Sequence, residues 1–217
     1  VVLDGQPLPV EDDLATELGV SRGALREAVK ALAAKGMLRT RPRTGTRVLP
    51  PEHWNHLDRD VLRWQQDCDP RPLLRETGEL RRIVEPEAAR LAAERSTAED
   101  VRALRRALEA MEVAAAHPER SGYVEADSAF HRALLDASGN RLLGSLGRGI
   151  EVALEHSFAV SSQTHGAVEA SLPAHRAIVD AVERGDAAAA SDAISGIIAA
   201  AEREIAQSPV LPPDAKR

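Results

Sequence analysis

Between residues 70 and 206, apolar side chains return every third or fourth position, and the runs are broken by glycine, serine, asparagine and aspartate. That period gives each segment one apolar stripe, and stripes of this kind bury themselves against other helices. The spacing predicts helices over 72–94, 98–116, 121–137, 141–160, 168–184 and 187–206, enough for a compact antiparallel bundle. Ser96-Thr97-Ala98-Glu99-Asp100 holds two overlapping capping boxes at the start of the second helix, after which Val101, Leu104, Leu108 and Met111 share one stripe. Pro86 lies inside the first helix and is expected to kink it. Leu and Ala dominate and aromatic residues make up only 2%, which again favours helix on helix. The expected fold class is all-α.

The formal net charge of −6 would disfavour nucleic acid if it were spread evenly. Residues 1–20 hold five acids and no Lys or Arg, whereas residues 21–50 hold eight bases (Arg22, Arg26, Lys30, Lys35, Arg39, Arg41, Arg43 and Arg47) against the single acid Glu27. A basic block on an acidic chain is the footprint of one face that binds phosphate. Cys68 is the only cysteine, so no internal disulfide forms, and no apolar run approaches the roughly 18 residues that span a bilayer. With no charged-then-apolar leader at the start, the expectation is a cytoplasmic protein without a membrane partner.

Around the basic block, Glu11 to Leu18 reads as a short helix with acids in its first turn, ended by Gly19. Ser21 is placed to cap a second helix running to about Lys35, with Leu25, Val29 and Leu32 on its apolar face and Gly36 as its stop. Two short helices joined through Gly19-Val20, with Val20 filling the angle, make the pattern of a helix-turn-helix. Arg22 and Arg26 stand one turn apart near the end that enters a major groove in such modules, with Ser21 and Gly23 beside them. An arginine fork pairs with guanine or clamps a phosphate, and the Ser21 hydroxyl adds a phosphate contact. Beyond Gly36, 37–40 and 46–49 are expected to pair as strands around Arg43-Thr44-Gly45, a wing in which Arg41, Arg43 and Arg47 suit backbone or minor-groove contact. The candidate DNA-contacting residues are therefore Ser21, Arg22, Gly23, Arg26, Arg43, Thr44 and Gly45. Pro50-Pro51 marks a boundary, and 57–66 reads as a connecting helix with Trp64 as a packing anchor between domains. The expected division is a DNA-binding domain over 1–50, a linker over 51–69, a helical domain over 70–207 and a tail over 208–217.

These residues resemble the GntR superfamily of winged helix-turn-helix regulators, whose pattern appears as Leu8-Pro9, Leu18-Gly19-Val20-Ser21-Arg22, Leu25-Arg26-Glu27-Ala28 and Gly45-Thr46. Three positions depart from it. Val10 stands where a small hydroxyl residue is usual and weakens the first cap. Asp12 replaces a frequent basic residue and removes one expected phosphate contact. Arg43 takes the place of a wing glycine. Most of the family's leading helix would lie before Val1. Further along, Glu79-Leu80-Arg81-Arg82-Ile83-Val84-Glu85-Pro86 followed by Ala88-Ala89-Arg90-Leu91-Ala92-Ala93, and Asp127-Ser128-Ala129-Phe130-His131 with Asn140, resemble the ligand-binding (FCD-type) domain of the FadR subgroup. With His175 and Gly185-Asp186 this likeness spans about 70–206. The phrase from Trp54 to Trp64 resembles the linker of sugar-acid regulators of the galactonate type. The resemblance implies a dimeric transcription regulator without enzymatic activity. It would repress a catabolic operon, bind a double-stranded operator and respond to a small carboxylate such as a sugar acid.

Asp127 and His131 stand four residues apart, so both can meet one ion from a single helix face, and His175 can supply a third ligand. The resemblance implies a divalent metal such as Zn or Ni held by these three and one more histidine. Ile197 occupies the matching position, which leaves the set incomplete; water, an effector carboxylate, His156 or His165 are the candidates to complete it. Arg81 is the candidate to pair the effector carboxylate, with an ion pair to Glu85 one turn on as its plainer role. Asn140 is a candidate for orienting the same pocket and also suits the C-cap of the helix ending near Ser138-Gly139. Two competing classes are a metal-dependent enzyme on Asp127, His131 and His175, and a ligand-binding module that has lost DNA recognition. The enzyme lacks an evident general base and leaves the basic block without a purpose.

Overall fold

A computed structural model describes residues 7–41, 45–117, 122–163 and 166–208. The chain divides into two compact units, Val1–Leu62 and Arg63–Arg217.

In the first unit, α1 (Glu11–Leu18) opens with three acids that complement its dipole, and Val10 gives it no side-chain cap. The helix ends at Gly19, whose φ of 66° suits glycine, and the Val20 amide turns back to the Ala15 carbonyl at 3.0 Å. Backbone bonds shape this turn, so Val20 does not fill the angle as expected; it is 44% exposed. α2 (Arg22–Ala34) is capped by Ser21, whose Oγ accepts from the Ala24 amide at 3.2 Å, and Leu25 is its buried anchor. β1 (Leu38–Arg41) and β2 (Gly45–Val48) pair antiparallel, with Leu38 opposite Val48 and Arg41 opposite Gly45.

The stretch after the hairpin folds back onto the end of α2. Gly36 permits this: at φ 75° it leaves room where a Cβ would lie 2.1 Å from the His53 carbonyl oxygen. The Asn55 amide then reaches the Lys35 carbonyl at 2.8 Å, and Trp54 Nε1 donates to the Leu49 carbonyl at 2.8 Å. Lys35 Nζ meets Asp58 Oδ1 at 2.7 Å and Asp60 Oδ2 at 2.8 Å. The linker expected over 51–69 is therefore divided, since residues up to Leu62 fold with the first unit. Lys35, one of the eight bases of the basic block, serves this fold through Asp58 and Asp60. α3 (Arg59–Cys68) carries the chain across the boundary, and Trp64, expected as a packing anchor, is 41% exposed.

The second unit contains α4 (Pro70–Arg95), α5 (Ala98–Ala116), α6 (Tyr123–Ala137), α7 (Arg141–Gly149), α8 (Glu151–Ser161), α9 (Ala167–Arg184) and α10 (Ala187–Gln207). Asp69 caps α4, the reciprocal Thr97–Asp100 capping box starts α5 and Asp186 caps α10. α4 packs mainly on α10, and α5 on α6. Small side chains such as Ala89, Ala92 and Ala190 alternate in the core with Leu104, Met111, Phe130, Ile178 and Ile198, all fully buried, so helices can approach closely without voids. α4 stays helical through Pro86. The helix expected over 141–160 is split at Ile150, because glycines 144, 147 and 149 weaken its first half. Gly147 also lies so close to Leu135 of α6 that a Cβ there would stand 2.6 Å from Leu135 Cδ1. Among the described residues, no helix is long and apolar enough to cross a membrane.

Candidate functional site

On the first unit, α2 presents Arg22, Gly23 and Arg26 to solvent, with Ser21 at its start. Arg22 is not unaccompanied there, since its Nε lies 3.0 Å from Asp12 Oδ1 of α1. On the hairpin, Arg39 stands in register with Arg47, and Thr40 Oγ1 lies 3.0 Å from Thr46 Oγ1. The pairing puts two basic side chains on opposite positions of the hairpin. Gly45 opens β2 at φ 77°; Arg43 and Thr44 lie outside the described residues.

In the second unit, α4, α6, α8, α9 and α10 enclose a cavity of about 180 Å³ lined by Arg81, Asp127, His131, Phe158, His175 and Ile197, among others. Asp127 and His131 come from one face of α6, four residues apart as helical geometry requires. Asp127 Oδ1 is 3.4 Å from His131 Nε2 and 3.2 Å from His175 Nε2. The donor atoms of the three lie within 4.8 Å of one another.

The hydrogen bonds around this trio set its chemistry. His175 Nδ1 lies 3.0 Å from the Ser171 carbonyl oxygen, which can only accept, so Nδ1 carries the proton and a neutral ring turns its Nε2 lone pair toward Asp127. His131 Nδ1 lies 2.7 Å from Glu85 Oε2, so this ring too directs Nε2 inward. Asp127 Oδ1 and His175 Nε2 are buried without a hydrogen-bond partner. Converging lone pairs and a carboxylate repel one another unless a cation stands among them, so the residues present fit a divalent metal. Without one, a proton on His131 meets the same need: burial lowers its pKa, but the Glu85 charge and the Asp127 and Glu85 hydrogen bonds raise it further. Burial pushes the Asp127 carboxyl up, and the imidazoles of His131 and His175 beside it more than reverse this, leaving it well below the usual range.

Glu85 is the orienting residue behind His131, and Arg81 stands behind Glu85. Arg81 Nε donates to Glu85 Oε1 at 2.9 Å with both groups buried, and its guanidinium lies over the Phe158 ring at 4.6 Å. Burial raises Glu85, but the Arg81 and His131 charges hold its pKa down at about 2. Arg81 is thus paired with Glu85, the plainer role considered for it, and it also lines the cavity, with Nη2 3.5 Å from His131 Nε2. Ile197 also lines the cavity and offers no ligand atom.

Several expectations do not meet at this site. Asn140 is not among the lining residues: it caps α7, with Oδ1 accepting from the Leu142 amide at 3.0 Å, so its side chain is spent on the helix start. His156 stands elsewhere, its Nδ1 3.0 Å from Gln66 Nε2, and His165 lies outside the described residues. Conversely, Tyr123, Ser161, Ser171 and Glu204 line the cavity without a sequence signal to mark them. Tyr123 Oη and Ser171 Oγ are 2.8 Å apart, and burial raises the Glu204 carboxyl.

A winged helix-turn-helix with an arginine-bearing second helix, followed by a helical unit around a cavity lined by Asp127, His131 and His175, defines a DNA-binding transcription regulator. Residues 1–48 match the family model "Bacterial regulatory proteins, gntR family", and residues 76–200 match the FCD domain. The chain belongs to the GntR family, in the FadR-like subgroup that carries an FCD domain. It is 37% identical over 207 residues to the galactonate operon transcriptional repressor of Escherichia coli K12, covering 93% of this chain and 88% of that protein. A solved structure of Streptococcus agalactiae GntR matches with 29% identity and a TM-score of 0.58, covering 93% of this chain and 91% of that one. The fold is shared with Lar, which controls expression of the Listeria monocytogenes agr system, at 20% identity and a TM-score of 0.65 over 95% of this chain and 89% of the other. Proteins of this family regulate transcription and are not enzymes, which sets aside the metal-dependent enzyme.

Proposed function

We propose that this regulator is a cytoplasmic, homodimeric repressor of a catabolic operon, whose FCD domain binds a small carboxylate of the sugar-acid class beside a divalent cation. The single observation that carries the reading is the convergence of three buried donor atoms, from Asp127, His131 and His175, in a cavity that Arg81 also lines. Nitrogen and carboxylate donors suit Zn or Ni, and such an ion would supply fixed positive charge to an effector oxygen. Arg81 adds a planar fork for the carboxylate. Tyr123, Ser161, Ser162, Ser171 and Glu204 line the same cavity and offer partners for several hydroxyl groups, more than a simple fatty chain could use. The similarity to a galactonate operon repressor supports the same effector class and the repressing sense. Ser21, Arg22, Gly23, Arg26 and the wing, with Arg43, Thr44 and Gly45, are the proposed DNA contacts.

The test combines metal analysis and melting. Protein purified without chelator should contain about one divalent ion per chain by plasma mass spectrometry, and galactonate should raise its melting midpoint. The same compound should release the protein from DNA upstream of its own gene in a gel shift. Absence of metal together with no stabilisation by any sugar acid would remove the proposed site.

A further inference from the structure

Arg22 opens α2, yet the first turn of that helix contains no acid to balance it. A cation at a helix start faces the positive end of the dipole, so Arg22 needs an anion from elsewhere. The anion comes from α1, where Asp12 Oδ1 lies 3.0 Å from Arg22 Nε. Both side chains stay open to solvent, at 71% and 55% exposure, so the pair is accessible from outside. Arg26, one turn further on, has no ion pair among the described residues. Asp12 therefore puts a carboxylate beside one member of the arginine pair and not the other.

We propose that Asp12 is an internal counter-ion for Arg22, which a DNA phosphate must displace before Arg22 can bind it. Exposed ion pairs are weak and exchange readily, so displacement is easy. The Asp12–Arg22 attraction is nevertheless given up when a phosphate takes Arg22, and the freed carboxylate draws a cation from solution. That exchange lowers the hold on DNA of any sequence, which leaves residence on an operator to the remaining contacts. Asp12 is thus a positioning residue that sets affinity through Arg22. The inference rests on the reading of Arg22 as a DNA contact.

The experiment measures binding of the full chain to a fluorescent random-sequence duplex by anisotropy across a salt series. Asp12→Asn should tighten binding roughly two- to fivefold at low salt. It should also steepen the slope of log affinity against log salt by up to about 0.9, because no freed carboxylate then takes up a cation against the one released from the phosphate. In an Arg22→Ala background the same substitution should change neither quantity. Asp13→Asn removes an equal charge one residue away and should leave the slope alone, while Asp12→Glu keeps the charge and should behave as wild type. Melting curves confirm that each variant is folded, and the Glu variant keeps the comparison valid if the Asn variant is not. An unchanged slope in Asp12→Asn, a gain that persists without Arg22, or an equal gain in Asp13→Asn would overturn the counter-ion. If Arg22→Ala alone binds like wild type, or no variant binds duplex, the reading of Arg22 fails first and the counter-ion falls with it.

Discussion

Glu85 divides its two oxygens between Arg81 and His131, and the two partners need it for different reasons. Arg81 is buried and always charged, so removing its counter-ion strands a cation: Glu85→Ala should cost about 3–5 kcal/mol by denaturant titration. His131 needs the carboxylate to hold its ring and direct Nε2 inward, so Glu85→Gln should weaken metal binding by roughly 10- to 100-fold in a competition assay. The pH dependence of the chelator-treated protein follows from the two shifts. The depressed Glu85 contributes stability that is present above its ordinary value near 4.5 and is lost as pH falls toward about 2. The raised His131 contributes stability that is present below its ordinary 6.5 and is lost as pH rises through its elevated pKa. Metal-free protein should therefore melt highest between these limits, and Glu85→Gln should flatten both arms. A wild-type midpoint that is level from pH 4 to 8 would contradict this account.

Local chemistry was readable at the level of elements because caps act over three or four residues. Ser21, Thr97 with Asp100, and the stop at Gly19 each lie where their side chain or backbone freedom is used. Longer-range features were hidden. The Lys35–Asp58 bond joins residues 23 apart, and no periodicity announces it. Asn140 suits a pocket or the C-cap of the preceding helix by its neighbours, but the orphan amide of Leu142 claims it as the N-cap of α7. The cavity's Tyr123, Ser161, Ser171 and Glu204 come from four helices and share no spacing, whereas Asp127 and His131 were visible because one helix turn brings them together. Gly36 tests the fold-back directly. Gly36→Ala combines a left-handed backbone with a 2.1 Å approach to the His53 carbonyl, and should destabilise the first unit by at least ~1–3 kcal/mol. Its urea midpoint should fall while the helical unit retains metal binding; an unchanged midpoint would show that the segment after the hairpin is dispensable.

Across the whole molecule, the two units carry opposite electrostatic tasks. The first concentrates arginines on exposed positions of α2 and the hairpin, and the second gathers Glu85, Asp127, Arg81 and two histidines where water is scarce. Their dependence on conditions should differ accordingly. Dialysis against a chelator should lower the midpoint of the helical unit, by the equivalent of about 2.7 kcal/mol where free metal had stood 100-fold above its Kd. Salt should weaken DNA binding without touching that midpoint. Both are measured by melting in matched buffers, and a chelator-insensitive midpoint would argue for the protonated form of His131. The clasp of Lys35 on Asp58 and Asp60 bears on dissection of the chain. A fragment cut at Pro50, where the proline pair invites the scissors, would lose Trp54 and both aspartates, leaving an amine and a glycine niche built for residues no longer there. A cut after Leu62 keeps the reading head with its own clasp.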